Sequence, residues 1–371
     1  MLLERLSILN YKNIEQAELA LSPKINCFLG SNGMGKTNLL DAIYYLSFSK
    51  SYNNPIDSQN IKHDAEFAVI QGWYNLDNKP EEFFCSLRRR QKKQFKRNKK
   101  EYERLSDHIG GVLPLVMVSP SDTELINGGS DERRRFIDQF LSQFDKEYLH
   151  SLIRYNKALQ QRNALLKTDG FIDETLIGLW DDQLIEEGVI IFRKRKDFID
   201  KFIPIFQKFY DFICLSHEKV SLAYESHFDT EDFAKLLKER REKDKILGYT
   251  TAGIHKDDLD MRMDDYSIKR VGSQGGQNKT YVVALKFAQF DFLKKATSTT
   301  PVLLLDDIFD KLDASRVEQI IKLVLDKDFG QIFITDTNRE HLSDILSQTS
   351  NDYHLYEVAD GIVTQKNVAA L

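Results

Sequence analysis

One segment constrains this chain more than any other. Gly30-Ser31-Asn32-Gly33-Met34-Gly35-Lys36-Thr37 fits the pattern G-x-x-x-x-G-K-[ST]. A short apolar run, Ile25–Leu29, leads into it. Residues 36–46 lead out with apolar side chains at Leu39, Leu40, Ile43 and Leu46, a helical spacing. Glycines let the backbone curl until successive N–H groups face phosphate oxygens. The lysine then reaches the β- and γ-phosphates, and the threonine hydroxyl faces Mg2+. A helix beginning at Lys36 adds the positive end of its dipole. ATP with Mg2+ is the expected ligand, with Lys36 catalytic and Thr37 on the metal. The alternative is a plain glycine-rich turn before a helix, and the strand–loop–helix setting argues against it.

A phosphate loop needs a carboxylate at the end of a neighbouring strand. Val302-Leu303-Leu304-Leu305 is a continuous apolar run of the kind buried on both faces of a parallel sheet, and Asp306-Asp307 ends it. Asp306 is expected on the metal, and Asp307 is expected to orient or deprotonate the attacking water. Many ATPases of this design carry glutamate at the second position. The shorter aspartate predicts slow turnover, a switch more than a motor. Lys36 and Asp306 stand near opposite ends of the chain, which excludes the compact ATPase subunit of a transporter. A GTPase is excluded because Asn278-Lys279 continues into Thr280-Tyr281 instead of completing N-K-x-D.

The 371 residues suggest roughly two domains. The outer thirds read as strands mixed with helices. Val302–Leu305, a helix over 316–325 and a strand over 331–335 give a strand–helix–strand rhythm. Residues 130–245 read as a helical insert, with Leu152, Tyr155, Leu159 and Leu166 on one face and Phe198, Ile199, Phe202 and Phe206 on another. Breaks are expected at residues 168–170 and near Gly178 and Gly188. Such an insert is too short and too interrupted for the heptad arms of a chromosome-tethering protein. No apolar run approaches the roughly 18 residues of a membrane span. Residues 1–9 read as a strand and lack the order of a secretion signal. Cys27, Cys85 and Cys214 follow no metal spacing and fit buried thiols in a reduced cytoplasm.

A second phosphate-seeking motif lies far along the chain. Gly272-Ser273-Gln274-Gly275-Gly276-Gln277 precedes a helix over 278–293 and reads as another anion-binding helix start. The head-to-tail dimer of ABC ATPases accounts for it, because each subunit's serine–glycine motif there caps the γ-phosphate held by the other. Ser273 is the expected cap, with Gly275, Gly276 and Gln277 beside it. A flexible loop with a helix cap is the alternative. The fold class is therefore α/β, an ABC-type ATPase head with a mixed sheet over 1–125 and 246–371. A mainly helical arm, 126–245, is inserted into it.

Net charge is −5, so nucleic-acid contact requires a local basic patch. Arg88, Arg89, Arg90, Lys92, Lys93, Lys96, Arg97, Lys99 and Lys100 supply one, with Phe95 and Tyr102 interleaved. On a strand–turn–strand they put charge on both faces, near a solvent edge. Such a patch either touches DNA phosphates without reading bases, or is a solvated hairpin. Arg133, Arg134 and Arg135 either reach phosphates or pair with Asp131, Glu132 and Asp138. His255 with Asp257 and Asp258 reads as a structural contact between lobes more than as a metal cluster, and Trp180 as core of the arm.

Several runs together resemble the RecF family of bacterial recombination-repair ATPases, of the ABC/SMC class. They are Leu9-Asn10-Tyr11-Lys12-Asn13, residues 30–46, and Gly128-Gly129-Ser130-Asp131-Glu132-Arg133-Arg134-Arg135-Phe136-Ile137-Asp138. To these add Tyr155–Asn163, Gly253-Ile254-His255-Lys256-Asp257-Asp258-Leu259, and 305–313 with its acidic strand and D-loop. Ser130 and Ile254 stand where the family favours proline, Asp41 replaces its glutamate, and a second glycine lengthens its S-x-G-Q. Thr335-Asp336-Thr337, where many ABC ATPases carry a switch histidine, keeps the family pattern. The resemblance implies a cytoplasmic protein that dimerises on ATP and binds double-stranded DNA at single-strand gaps and stalled forks. It implies weak ATPase activity and partners RecO and RecR in loading RecA. It also sets Tyr11 and Lys12 near the adenine. A DNA-binding scaffold with little or no ATP turnover is the rival reading.

Overall fold

The structure is a computed structural model, and it describes residues 1–109, 111–168, 173–215, 218–229, 232–271, 276–310, 312–325, 329–337 and 353–366. The chain opens on β1 (Leu2–Tyr11) and turns back tightly at Lys12, φ 51°, into β2 (Ile14–Ala20). Then β3 (Ile25–Leu29), almost wholly buried, runs through the phosphate loop into α1 (Lys36–Phe48). Next, β4 (Phe67–Leu76) and β5 (Lys79–Arg88) form a hairpin around Asp77 and Asn78, which both take the left-handed conformation that short polar side chains tolerate. With β6 (Gln94–Arg97) and β7 (Lys100–Glu101) they complete an antiparallel sheet of order β2-β1-β4-β5-β6-β7.

A short α2 (Ser106–Ile109) leads to β8 (Leu115–Val118), and α3 (Glu124–Asn127) comes after it. Three longer helices come next: α4 (Ser130–Leu141), α5 (Lys146–Leu166) and α6 (Glu174–Cys214). The chain continues through β9 (Val220–Glu225), α7 (Phe233–Glu239) and α8 (Arg241–Leu247). Then β10 (Asp258–Met263) pairs with both β9 and β11 (Tyr266–Ser267), so a small sheet ties the end of the helical stretch to the C-terminal third of the chain. After α9 (Ile268–Val271) and α10 (Gln277–Thr297) come β12 (Val302–Asp306), α11 (Ala314–Leu325), β13 (Ile332–Asp336), β14 (Tyr353–Ala359) and β15 (Ile362–Lys366).

The second large sheet runs β15-β14-β3-β13-β12-β8 and is parallel except at its β15 edge. Its strands come from both ends of the chain, so the C-terminal ends of β3 and β12 lie one strand apart. Helix α1 fills the space between the two large sheets, burying Leu39, Leu40, Ile43 and Leu46 with Phe83, Leu115 and Phe333. On the other face of the parallel sheet, α10 packs against α6, with Phe140, Phe198, Phe202 and Phe292 stacked edge to face or tilted around one another. That apolar cluster is continuous from the helical stretch into Leu303 and Leu305 of β12.

The expected breaks near Gly178 and Gly188 are absent. Helix α6 is continuous over 41 residues and carries Pro204 within it. Gly188 sits there for packing: a Cβ on it would meet the Phe228 ring at 2.4 Å. Asp173 caps the helix by accepting from the N–H groups of Thr175 and Leu176. Trp180 is half-buried against the helical core, and Cys27, Cys85 and Cys214 are free and buried. Among the described residues no helix is long and apolar enough to cross a membrane.

Candidate nucleotide site and basic hairpin

The loop after β3 is shaped by glycines with distinct tasks. Gly33 and Gly35 have φ of 81° and 110°, left-handed values that suit glycine alone among ordinary residues. At Gly30 a Cβ would strike the Val358 carbonyl oxygen of β14 at 2.2 Å, so that position must stay bare. Asn13, from the turn after β1, braces the loop: its amide donates to the Gly33 carbonyl at 3.4 Å and accepts from Asn38 at 2.7 Å. Met34 is held by the Gly361 N–H at 3.0 Å. Ser31 and Asn32 are exposed at the rim. Lys36 is buried, and its ammonium donates to the loop's own carbonyls, Gly30 at 2.8 Å and Ser31 at 3.2 Å.

The acidic strand meets this loop directly. Thr37 Oγ1 donates to Asp306 Oδ1 at 2.9 Å, and Thr335 Oγ1 donates to the same oxygen at 2.7 Å. Burial raises the Asp306 carboxyl above its ordinary range, and the two hydroxyls partly offset that. Asp307 is a non-glycine residue at φ 44°. Its N–H is held by the carbonyl and hydroxyl of Thr335 at 3.2 and 3.1 Å, and its carbonyl by Lys279 Nζ at 3.1 Å. Its Oδ1 is buried with no hydrogen-bond partner among the described residues. Burial raises this carboxyl too; Lys36 opposes the shift and Asp336 adds to it.

These residues fit ATP and Mg2+. The bare glycine cradle admits phosphate oxygens, and Thr37 with Asp306 is a hard-oxygen pair of the kind Mg2+ takes. The unsatisfied Oδ1 of Asp307 is an acceptor waiting for a donor. Sequence reasoning missed the parts that Asn13 and Lys279 play here, and it placed Thr335 at the switch position without its bond to Asp306. That bond was within reach, because parallel pairing of β12 with β13 places Thr335 opposite Asp306.

Of the serine–glycine motif, Ser273 and Gly275 lie outside the described residues. Gly276 and Gln277 begin α10, one residue earlier than expected. The Gly276 carbonyl accepts from Thr280 N and Oγ1 at 2.9 and 2.8 Å, and Gln277 Nε2 donates to Glu218 at 2.9 Å. Arg316 of α11 bridges Thr280 and Glu218 at 2.7 and 2.9 Å, fixing the foot of the motif.

Other candidates resolve into scaffold contacts. The Tyr11 ring is fully buried and its hydroxyl donates to Asp41 at 2.6 Å, so it offers no face to an adenine. Lys12 pairs with the same carboxylate at 2.5 Å, and Ser51 Oγ and the Tyr52 N–H donate to it. The aspartate that replaces the family's glutamate is thus a buried hub on α1. Arg133 pairs with Asp258 at 2.5 Å, Arg134 donates to the Asp257 carbonyl at 2.7 Å, and Arg135 pairs with Glu132. Asp138, one of the carboxylates the sequence offers those arginines, accepts from Arg195 at 2.7 Å, and Asp257 accepts from the same guanidinium at 2.7 Å. His255 bonds Tyr155 and the Thr250 carbonyl, and burial pushes its pKa down to about 4. No metal-holding cluster occurs among the described residues.

The basic run splits in two. Arg89 donates to the carbonyls of Lys62, His63 and Ala65; Lys93 pairs with Asp57 at 3.0 Å; Arg97 pairs with Glu81 at 2.8 Å. Phe95 is buried against His108, and Lys96 lies over the Phe84 ring at 5.8 Å. Arg88, Arg90, Lys92, Lys99 and Lys100 are exposed. The expected charge on both faces is therefore only partly available: four of the nine cations, Arg89, Lys93, Lys96 and Arg97, are engaged with the segment before β4, with Asp57 and with β5.

Over this geometry, comparisons with known proteins converge. The family model described as "RecF/RecN/SMC N terminal domain" matches residues 2–364. A DNA replication and repair protein RecF of Phocaeicola vulgatus is 63% identical over 372 residues, covering 100% of both chains. Its namesake in Flavobacterium johnsoniae is 48% identical, covering 96% of this chain and 99% of its own. A solved structure of the recombination mediator protein RecF with ATP, from the RecFOR pathway, superposes with a TM-score of 0.87 at 29% identity, over 99% of this chain and 98% of that one. An Smc head bound to part of ScpA shares the fold, with a TM-score of 0.59 at 15% identity, covering 99% of this chain and 98% of its own.

Proposed function

The chain belongs to the RecF family of ABC-type ATPases, and on that premise we propose that it is an ATP-dependent DNA-binding switch of recombinational repair. The proposed units are a head, 1–125 and 246–371, and an arm, 126–245. The observation that carries the reading is the convergence of Thr37, Asp306 and Thr335, with the unsatisfied oxygen of Asp307 beside them.

Bound ATP with Mg2+ would supply a γ-phosphoryl group polarised for attack by water. The chain's own residues do the rest. Lys36 leaves the loop carbonyls for the β- and γ-phosphates, and the N–H groups of residues 30–37 cradle their oxygens. Thr37 and Asp306 would hold the metal. Asp307 orients the water and accepts its proton. Its side chain, one methylene shorter than a glutamate's, holds the water less firmly, hence slow turnover. Ser273 of one subunit caps the phosphate held by Lys36 of the other, so ATP bridges a homodimer. Two basic hairpins then reach one duplex at single-strand gaps and stalled forks, and hydrolysis releases it. RecR and RecO are the proposed partners in loading RecA, in the cytoplasm.

Duplex-DNA affinity measured with ATP, with ADP and without nucleotide, for wild type and Lys36→Arg, with oligomer state in parallel, tests this. Tight binding and dimers are expected only for wild type with ATP. Equal binding in all three conditions would leave a scaffold with no nucleotide switch.

A further inference from the structure

Asp307 sits at a left-handed φ of 44°, a conformation that short polar side chains tolerate and that its neighbours here fix. Thr335 of β13 fixes the N–H side of the residue, at 3.2 and 3.1 Å. The carbonyl side is fixed by a single ammonium: Lys279 Nζ donates to the Asp307 carbonyl at 3.1 Å and to the Asp310 carbonyl at 2.6 Å. Lys279 thereby closes the turn after β12 and sets the angle at which the Asp307 carboxylate leaves the backbone. It does so from the first turn of α10, directly after the serine–glycine segment.

We infer that Lys279 is a positioning residue for ATP turnover, holding the Asp307 carboxylate on the attacking water by its grip on two carbonyls. The inference rests on the ATPase reading above and deepens it. The residue touches neither phosphate nor water in this role.

The test is steady-state ATP hydrolysis against ATP concentration for wild type, Lys279→Met and Lys279→Arg. Methionine keeps the length and removes both donors and the charge; arginine keeps donors and charge. Misplacing a water-orienting group by a fraction of an ångström predicts a kcat lower by about ten- to a hundredfold in Lys279→Met. KM for ATP stays within about twofold, since phosphate contacts are untouched. Lys279→Arg recovers most of the rate. Should Lys279→Met fail to fold, Lys279→Gln, which keeps one carbonyl donor, is read by the same split. Unchanged kcat overturns the inference, as does parallel loss of kcat and ATP affinity in both variants, the mark of a merely structural anchor. Wild-type protein without turnover fails the ATPase reading itself, before any variant is compared.

Discussion

Two buried charged regions of this molecule are built on opposite terms. Where the helical stretch meets β10, every buried charge faces its opposite. Arg195 lies between Asp138 and Asp257, both at 2.7 Å, and Arg162 lies between Asp181 and Asp244 at 2.5 and 2.7 Å. At the nucleotide site the carboxylates of Asp306 and Asp307 sit side by side, and neither takes an ion pair among the described residues. Lys36, whose charge acts on both, spends its donors on loop carbonyls. A scaffold neutralises its charges within itself. A site leaves them to be neutralised by its ligand, and the cost appears as carboxyls raised by burial.

The largest test of that contrast is at Arg195, 1% exposed on its side chain. Arg195→Met strands the buried carboxylate of Asp257, the partly exposed one of Asp138, and a tyrosine hydroxyl, Tyr148, that now accepts from the guanidinium at 3.0 Å. Unpairing a buried ion pair costs about 3–5 kcal/mol. Urea unfolding should show a loss of that size, with ATP affinity of the folded fraction unchanged. A loss below about 1 kcal/mol would mean that the junction is screened like surface pairs and the contrast is false.

Next in size is Asp307→Asn, for which removal of the base predicts kcat lower by about 100-fold, or about 2.7 kcal/mol of barrier. Stability should move the other way. The native carboxyl sits above the ordinary value of 3.8, so the folded state binds the proton more tightly. That contribution is complete below pH 3.8 and is lost as pH rises through the raised native value. Asparagine cannot ionise, so the variant should gain on wild type across that window and hold a constant advantage above it. His108 and His255, pushed down to about 4 by burial, act oppositely, losing stability as pH falls from 6.5 through 4. They are common to both proteins, so the difference in unfolding midpoint against pH isolates Asp307. A variant less stable than wild type at neutral pH would mean that Asp307 is scaffold.

Legibility in the sequence divides along the same line. The phosphate loop is legible because its function is local: eight consecutive residues carry the glycines, the lysine and the hydroxyl. Asp306-Asp307 is legible because a strand buried on both faces announces where it ends. The Arg195 cluster is not, since Asp138 and Asp257 lie 57 and 62 positions away and no short pattern joins them. Gly188 misled for a related reason. In isolation a glycine weakens a helix, whereas here it makes room for Phe228, a residue forty positions on. Lys279 was noted only as the wrong continuation of a guanine motif, because its partners are backbone carbonyls, which sequence does not distinguish.

The smallest effect carries the contrast to the surface. Within the hairpin, Arg97 is paired with Glu81, while Arg90 and Lys92 are exposed. If only uncommitted cations meet DNA, the double variant Arg90→Gln/Lys92→Gln should weaken ATP-dependent duplex binding. It should also reduce the slope of log affinity against log salt by about 0.9 for each phosphate that is no longer neutralised. Arg97→Gln should leave that slope alone and cost at most about 1 kcal/mol in stability, as a partly exposed pair does. Both variants remove positive charge from one ribbon, so a general loss of electrostatic attraction would flatten both slopes alike. A slope that falls as far for Arg97→Gln as for an exposed position would therefore show that pairing with Glu81 does not withhold a cation from DNA, and the division between committed and available charge would stop at the protein's interior.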